Sequence, residues 1–353
     1  MSEAKGYAAF DATSPLAPWS FERREMRADD VAIDILYCGV CHSDLHFAHD
    51  DWGMAAYPVV PGHEIVGRVT AVGAEVTHYK EGDLVGVGCM VDSCRHCQAC
   101  NDGLEQYCLE GFTMTYGSPD RHDATLTQGG YSDKVVVSER FVLRMPDGID
   151  LKSAAPLLCA GITTYSPLKY YGVKPGDKVG VIGMGGLGHM GVKLAKAFGA
   201  EVTIFTRSES KVAEARKQGA DHVVVSTDDE QMAAVAETFD FMLDTVPVKH
   251  DINPYLAALK YDGTHILVGL LEPIEPAIEG FNLVFKRRVI GGSLIGGIPE
   301  TQEVLDFCAE RDITCDVEMI GIQDINEAWE RMKKGDVRYR FVIDMASLKD
   351  TAA

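Results

Sequence analysis

The stretch Lys178-Val179-Gly180-Val181-Ile182-Gly183-Met184-Gly185-Gly186-Leu187-Gly188 decides the architecture of this 353-residue chain. An apolar, β-branched run leads into a glycine turn, and the helical stretch Leu187 to Phe198 follows. The turn matches G-x-G-x-x-G and stands where the physics requires it, at the end of a strand and the start of a helix. Gly183 permits the tight turn, Gly185 lets backbone approach a pyrophosphate, and Gly188 allows close helix–strand packing. Gly186 and Leu187 complete the loop, and the helix N-terminus favours negative charge. The segment Gly183 to Gly188 is therefore expected to bind a dinucleotide.

Downstream, apolar strands alternate with helical stretches. Glu201 to Phe205 precedes a Ser/Lys/Glu-rich helix reaching about Gln218, and His222 to Val225, Phe239 to Asp244 and Gly263 to Gly269 follow. That alternation predicts a parallel sheet with right-handed crossovers. The second strand selects the nucleotide. Sites for NAD carry Asp or Glu at its end, whereas this strand runs into Phe205-Thr206-Arg207-Ser208-Glu209-Ser210-Lys211. Thr206 takes the acidic position. Its hydroxyl, with Ser208 and flanked by Arg207 and Lys211, suits a 2′-phosphate that a carboxylate would repel. The expected cofactor is NADP(H), with NAD as the alternative that Glu209 keeps open.

Upstream, from Val31 to about Arg144, short β-prone runs such as Ala32 to Leu36, Ile65 to Gly73 and Lys134 to Val137 are broken by Gly, Pro and Asp. A β-rich, partly barrel-like domain is expected there. The text changes character after Pro146, and from about Gly297 it returns to mixed helix and strand ending at Tyr339 to Ile343. The chain is long enough for two domains. Hydrophobic content of 46% and charged content of 24% are globular values, with no apolar run of bilayer-spanning length. Lys plus Arg is 33 against Asp plus Glu 53, and the net charge of −20 argues against nucleic acid and anionic membrane surfaces as partners. The opening Met1-Ser2-Glu3-Ala4-Lys5 lacks an apolar signal region, so a cytoplasmic location with reduced thiols is expected.

Among the ten cysteines, six stand in patterns read as metal sites before disulfides. Cys94-x2-Cys97-x2-Cys100-x7-Cys108 can close a tetrahedral zinc site on one loop, and four thiolates leave no open position, so that zinc is structural. Cys41-His42-Ser43-Asp44, Gly62-His63-Glu64 and Leu158-Cys159-Ala160-Gly161 carry three further candidate ligands. Two thiolates and one imidazole leave one tetrahedral position for water or substrate, the condition for a catalytic zinc. Singly each is weak, because a buried Cys is usually a small hydrophobe. Together with the four-cysteine lobe and the nucleotide turn they form a consistent set.

Gly39-Val40-Cys41-His42-Ser43-Asp44-Leu45-His46, Pro61-Gly62-His63-Glu64, Gly183 to Gly191, Asp51-Trp52-Gly53 and Val337 to Val342 together resemble the medium-chain, zinc-dependent alcohol dehydrogenases, the cinnamyl alcohol dehydrogenase branch in particular. The likeness extends over nearly the whole chain. It implies an α/β plus β fold. A GroES-like catalytic domain is formed by both chain ends, about 1–158 and 296–353, with the zinc lobe at about 89–110. An inserted Rossmann NADP-binding domain spans about 159–295. It further implies two zinc ions per chain, the catalytic one on Cys41, His63 and Cys159, with Glu64 as an occasional or outer ligand and Asp44 orienting His63. Ser43 and His46 become the proton relay, and His42 and Arg340 help hold the cofactor pyrophosphate. Trp52, Met90 and Met114 fall near the substrate channel, although core packing is an equal reading of the three. An aromatic residue is frequent in this branch where Met114 falls, so the implied activity is broad: interconversion of primary alcohols with aromatic and medium aliphatic aldehydes. A homodimer paired through the strand near Val289 to Ile295 is implied as well. The competing readings are an NAD-linked alcohol or polyol dehydrogenase and a non-catalytic, NADPH-binding zinc redox sensor.

Overall fold

In a computed structural model, which describes residues 2–209, 212–269 and 272–351, the chain divides into two units, Met1–Cys159 with Gly296–Ala353, and Ala160–Ile295. The first boundary falls one residue beyond 158, which keeps Cys159 in the unit that holds Cys41, their sulfurs 4.0 Å apart.

Along the chain the first unit carries β1 (Ser2–Ala8), β2 (Ala17–Arg23), β3 (Asp30–Gly39), β4 (Ile65–Val72), β5 (Leu84–Val87), β6 (Met90–Asp92), β7 (Thr113–Met114), β8 (Lys134–Ser138) and β9 (Leu143–Arg144). The second carries β10 (Lys178–Ile182), β11 (Glu201–Thr206), β12 (His222–Val225), β13 (Phe239–Asp244), β14 (Leu259–Leu267) and β15 (Val289–Gly292). The chain then returns to the first unit with β16 (Val317–Gly321) and β17 (Arg340–Asp344).

In the first unit β16, β17, β3, β4, β5 and β9 lie side by side, with β8 also pairing to β3. Alternation drives this sheet: Val31, Ile33 and Ile35 are buried while Asp34 points to solvent. The C-terminal β17 runs antiparallel to β3 with Val342 opposite Gly39 and Ile343 opposite Cys38, so both chain ends build one sheet. The hairpin β1–β2 lies upstream of the Val31 start expected from sequence. Pro18 and the Asp11-Ala12-Thr13-Ser14 turn obscured it, and Trp19 stacked on Phe21, centroids 4.9 Å apart, gives it apolar contact.

In the second unit the six strands run in the order β12, β11, β10, β13, β14, β15, all parallel. β10 and β13 are apolar almost throughout and buried, as strands covered on both faces must be. Phe205, Phe239, Met242 and Leu256 form the core of one face. The strand order reverses between β10 and β13, the point where open α/β sheets bind ligands. The helix expected from Leu187 runs Gly188–Ala197. Among the described residues no helix is long and apolar enough to cross a membrane.

Candidate metal centres and cofactor site

One carboxylate assembles the first centre. Asp44 lies in the first turn of the helix His42–Ala48 and is fully buried. Its Oδ2 accepts from the Cys41 backbone N–H at 2.9 Å and from the Tyr131 hydroxyl at 2.9 Å. Its Oδ1 accepts from the Gly62 N–H at 3.1 Å and lies 3.0 Å from His63 Nδ1. With Nδ1–H committed to Asp44, the Nε2 lone pair of His63 is free to bind a metal. The ligand atoms of Cys41, His63, Glu64 and Cys159 all lie within 4.8 Å of one another, and all four residues are buried. A tetrahedron with zinc–sulfur bonds of about 2.3 Å has edges of about 3.8 Å, and the Cys41–Cys159 sulfur separation of 4.0 Å fits it.

Glu64 shows the same demand for a cation. Its Oε1 accepts from the Arg340 guanidinium, while Oε2 is buried without a hydrogen-bond partner. A Cβ on Gly39 would fall 1.9 Å from that oxygen, so only glycine leaves room for it. Burial pushes the Glu64 carboxyl up to about 8 against the pull of Arg340. The Cys159 thiol, hydrogen bonded to Cys41, holds the Cys41 thiol well below its ordinary value, and the same contact holds Cys159 well above it. Two thiolates this close need a cation between them. His63 is raised because Cys89 and Asp44 overcome its burial.

Around this core, Ser43 is half-buried with its Oγ 3.7 Å from Cys41 Sγ. His42 is exposed at the first helical position, its ring 6.2 Å from that of His46. His46 Nδ1 lies 2.7 Å from Asp51 Oδ2, and the His46 ring is 5.7 Å from that of Trp52, which is 37% exposed. Met90 and Met114 face each other across β6–β7, Met90 buried and Met114 half-buried. Arg340 is buried, and its observed partner is Glu64.

Sequence reasoning passed over three residues here. Tyr131 anchors Asp44, the Tyr116 ring lies 5.8 Å from that of His63, and Cys89 Sγ lies 3.8 Å from the carbonyl of Leu158, the residue before Cys159. Cys159 brings the Cys89 thiol down to about 6. Two tyrosines in loops carry no local signal; Cys89 did, standing next to Met90.

The second centre is local. The sulfurs of Cys94, Cys97, Cys100 and Cys108 lie within 4.8 Å of one another, and no disulfide joins any of the ten cysteines. Backbone N–H groups point at them: Cys97 N to Cys94 Sγ at 3.3 Å, Cys94 N to Cys108 Sγ and Leu109 N to Cys97 Sγ, each at 3.4 Å. N–H donation from Cys100 and Leu109 brings the Cys97 thiol down to about 6, whereas burial drives Cys100 up to about 12. Four sulfurs at this spacing, ringed by donors, could close a tetrahedral metal site with no open position.

The nucleotide turn lies in the other unit. Gly183 has φ +94°, a conformation that favours glycine, and a Cβ there would sit 3.0 Å from Thr245 Oγ1. Over Gly185 the space is open. Gly186 and Leu187 lead into the helix Gly188–Ala197. Thr206 ends β11 and is buried, its Oγ1 accepting from Ser208 N at 3.4 Å. Arg207 is exposed and Ser208 half-buried, and Lys211 lies outside the described residues.

Residues 27–147 match the family model of the alcohol dehydrogenase GroES-like domain, and residues 186–310 that of the zinc-binding dehydrogenases. The aldehyde reductase YahK of Escherichia coli K12 is 56% identical over 347 residues, 98% of this chain and 99% of that protein. The NADP-dependent alcohol dehydrogenase C 1 of Mycolicibacterium smegmatis is 53% identical over 351 residues, 99% of this chain and 100% of that protein. The crystal structure of a cinnamyl alcohol dehydrogenase from Helicobacter pylori complexed with NADP(H) superposes with a TM-score of 0.91 at 42% identity, covering 98% of each chain.

Proposed function

The chain belongs to the zinc-binding dehydrogenases that carry an alcohol dehydrogenase GroES-like domain, and from that premise we propose that it reduces aldehydes to primary alcohols with NADPH. The observation that carries this reading is the buried set Cys41, His63, Glu64 and Cys159, which offers a cation two sulfurs, one imidazole and a partnerless carboxylate oxygen. When bound, zinc supplies a Lewis acid for a carbonyl oxygen and acidifies a bound alcohol, as it lowers the pKa of water from 15.7 to about 7, while NADPH supplies the hydride.

The chain's own residues do the rest. Cys41, His63 and Cys159 hold the metal, Asp44 fixes the tautomer of His63, and Glu64 is an outer or exchanging ligand balanced by Arg340. Ser43 exchanges a proton with the substrate oxygen, and His46, oriented by Asp51, carries it to solvent. Gly183 to Gly188 hold the pyrophosphate with help from His42 and Arg340. Thr206, Arg207 and Ser208 hold the 2′-phosphate, where a carboxylate would repel it. The NADP named for the two relatives supports this choice over NAD. Trp52, Met90 and Met114 give an apolar, deformable lining suited to aromatic and medium aliphatic aldehydes. The lobe Cys94, Cys97, Cys100 and Cys108 takes a second, structural zinc, giving two per chain. The enzyme works in the cytoplasm, where its ten cysteines stay reduced, and as a homodimer.

The test is metal analysis with a panel of aldehydes assayed against both reduced cofactors. Cys41→Ala should lose one zinc per chain and cut aldehyde-dependent NADPH oxidation about a thousandfold, since a Lewis acid contributes several kcal/mol. A zinc redox sensor would bind NADPH yet show no aldehyde-dependent turnover in the parent chain. An NAD-linked enzyme would prefer NADH.

A further inference from the structure

Beneath the nucleotide turn lies a second buried cluster. Asp244 ends β13, pairs in register with Ile182, the residue before Gly183, and is fully buried. Its Oδ2 faces His250 Nε2 at 2.9 Å and His265 Nε2 at 3.1 Å, and its Oδ1 accepts from the Val246 N–H at 3.1 Å. The next residue, Thr245, bonds back to the Ile182 carbonyl through its N–H at 3.0 Å and its hydroxyl at 2.7 Å. The carboxylate is therefore tied to the same strand ends that shape the turn.

The two imidazoles differ. His265, from β14, is fully buried, and its Nδ1 has no hydrogen-bond partner. Only one of its ring nitrogens meets an acceptor, Nε2 on Asp244. His250 faces acceptors on both sides, Asp244 through Nε2 and the Val248 carbonyl through Nδ1 at 2.9 Å. Only the imidazolium satisfies both. The other charged or titratable groups around it are Asp251, Lys249, which pairs with Glu275 at 3.4 Å, and Tyr255, whose ring is 6.1 Å away on the helix Asn253–Ala258.

Resting on the dinucleotide reading above, we propose that Asp244, His250 and His265 form a proton-linked clasp under the cofactor turn. His250 is a positioning residue whose imidazolium neutralises Asp244 and so lets the cofactor's phosphates bind. The direction of titration agrees: the Asp244 hydrogen bond and charge overcome burial and raise His250, while the two histidines lower Asp244 against its own burial. As pH rises through the elevated His250 value, the proton leaves, and the Asp244 carboxylate, still hydrogen bonded to His265 and the Val246 N–H, is left without a neutralising charge beneath the turn. Dinucleotide affinity then falls. By reciprocity, a bound dinucleotide raises His250 further.

The experiment measures NADPH affinity of the zinc-loaded enzyme by cofactor fluorescence from pH 6 to about 9.5, beside His250→Gln and Asp244→Asn. The parent should lose about tenfold in affinity through a step above the ordinary histidine range, a coupling of usual size. His250→Gln should lack that step and bind weakly throughout; Asp244→Asn should lack it and bind tightly throughout. The cofactor's own 2′-phosphate titrates alike in all three and cancels in the comparison. Independently of the variants, the His250 ring resonance of the parent should titrate about one unit higher with NADP+ bound. Parallel affinity profiles, or a His250 titration that ignores the dinucleotide, overturn the clasp while leaving the cofactor reading intact. Absence of dinucleotide binding at every pH overturns the cofactor reading itself, and the clasp with it.

Discussion

At the scale of single residues the molecule depends on side chains whose neighbours come from far along the chain. Cys41 and His63 were legible as candidate ligands because thiol and imidazole chemistry is narrow. The buried hydroxyl of Tyr131, 87 residues from Asp44, was not, since a tyrosine in a loop has many uses. Gly39 carries meaning only once Glu64 is seen against it. The place of Thr206 at the end of its strand was legible, and the chemistry of a ribose ligand is decided there. Thr206→Asp should place a carboxylate against the 2′-phosphate, a like-charge meeting that costs several kcal/mol. Steady-state assays should show kcat/KM for NADPH falling at least about tenfold while that for NADH holds or rises; unchanged discrimination would remove Thr206 from the cofactor site.

At the scale of elements, what could be read was whatever has a period. The apolar runs of β10, β11, β12 and β13 were found within a residue of their ends, because the strands of a parallel sheet covered by helices are rich in apolar residues. The zinc lobe is the opposite case. Its helical pieces are Gln98–Asn101 and Glu105–Tyr107, far too short to persist alone. Its order must come from the sulfurs and the N–H groups aimed at them. Cys97→Ser should therefore lower zinc from two to one per chain by elemental analysis and expose the loop between Cys94 and Cys108 to limited proteolysis, with NADPH affinity kept. A lobe that stays protease-resistant without its zinc would contradict this account.

At the scale of the whole molecule, the parallel character of the second sheet followed from the alternation of strands and helices. The return of the last strand to the first unit came only through family likeness, since nothing local in Arg340-Phe341-Val342-Ile343 says that it pairs with β3. The proposed dimer has a candidate surface. Phe281, Val284, Phe285, Val289 and Leu294 are exposed, the first and third stacked with centroids 4.1 Å apart, beside β15, which ends its sheet. Apolar surface beside an open strand edge, on a chain with a net charge of −20, is where the proposed second copy would pack. Val284→Glu combined with Phe285→Glu should halve the mass seen by light scattering on a sizing column. A mass unaltered by that double change would put the contact elsewhere.

The antiparallel match of Val342 to Gly39 has a bearing on biosynthesis. In a nascent polypeptide the inserted unit Ala160–Ile295 is complete before the last strand is made. The oxygen of Glu64 must wait for Arg340, 276 positions later, before its charge is balanced. Until the final strand is translated the candidate ligands Cys41, His63 and Cys159 are in place but Glu64 lacks its counter-charge, so a message cut short there is expected to yield a less stable centre.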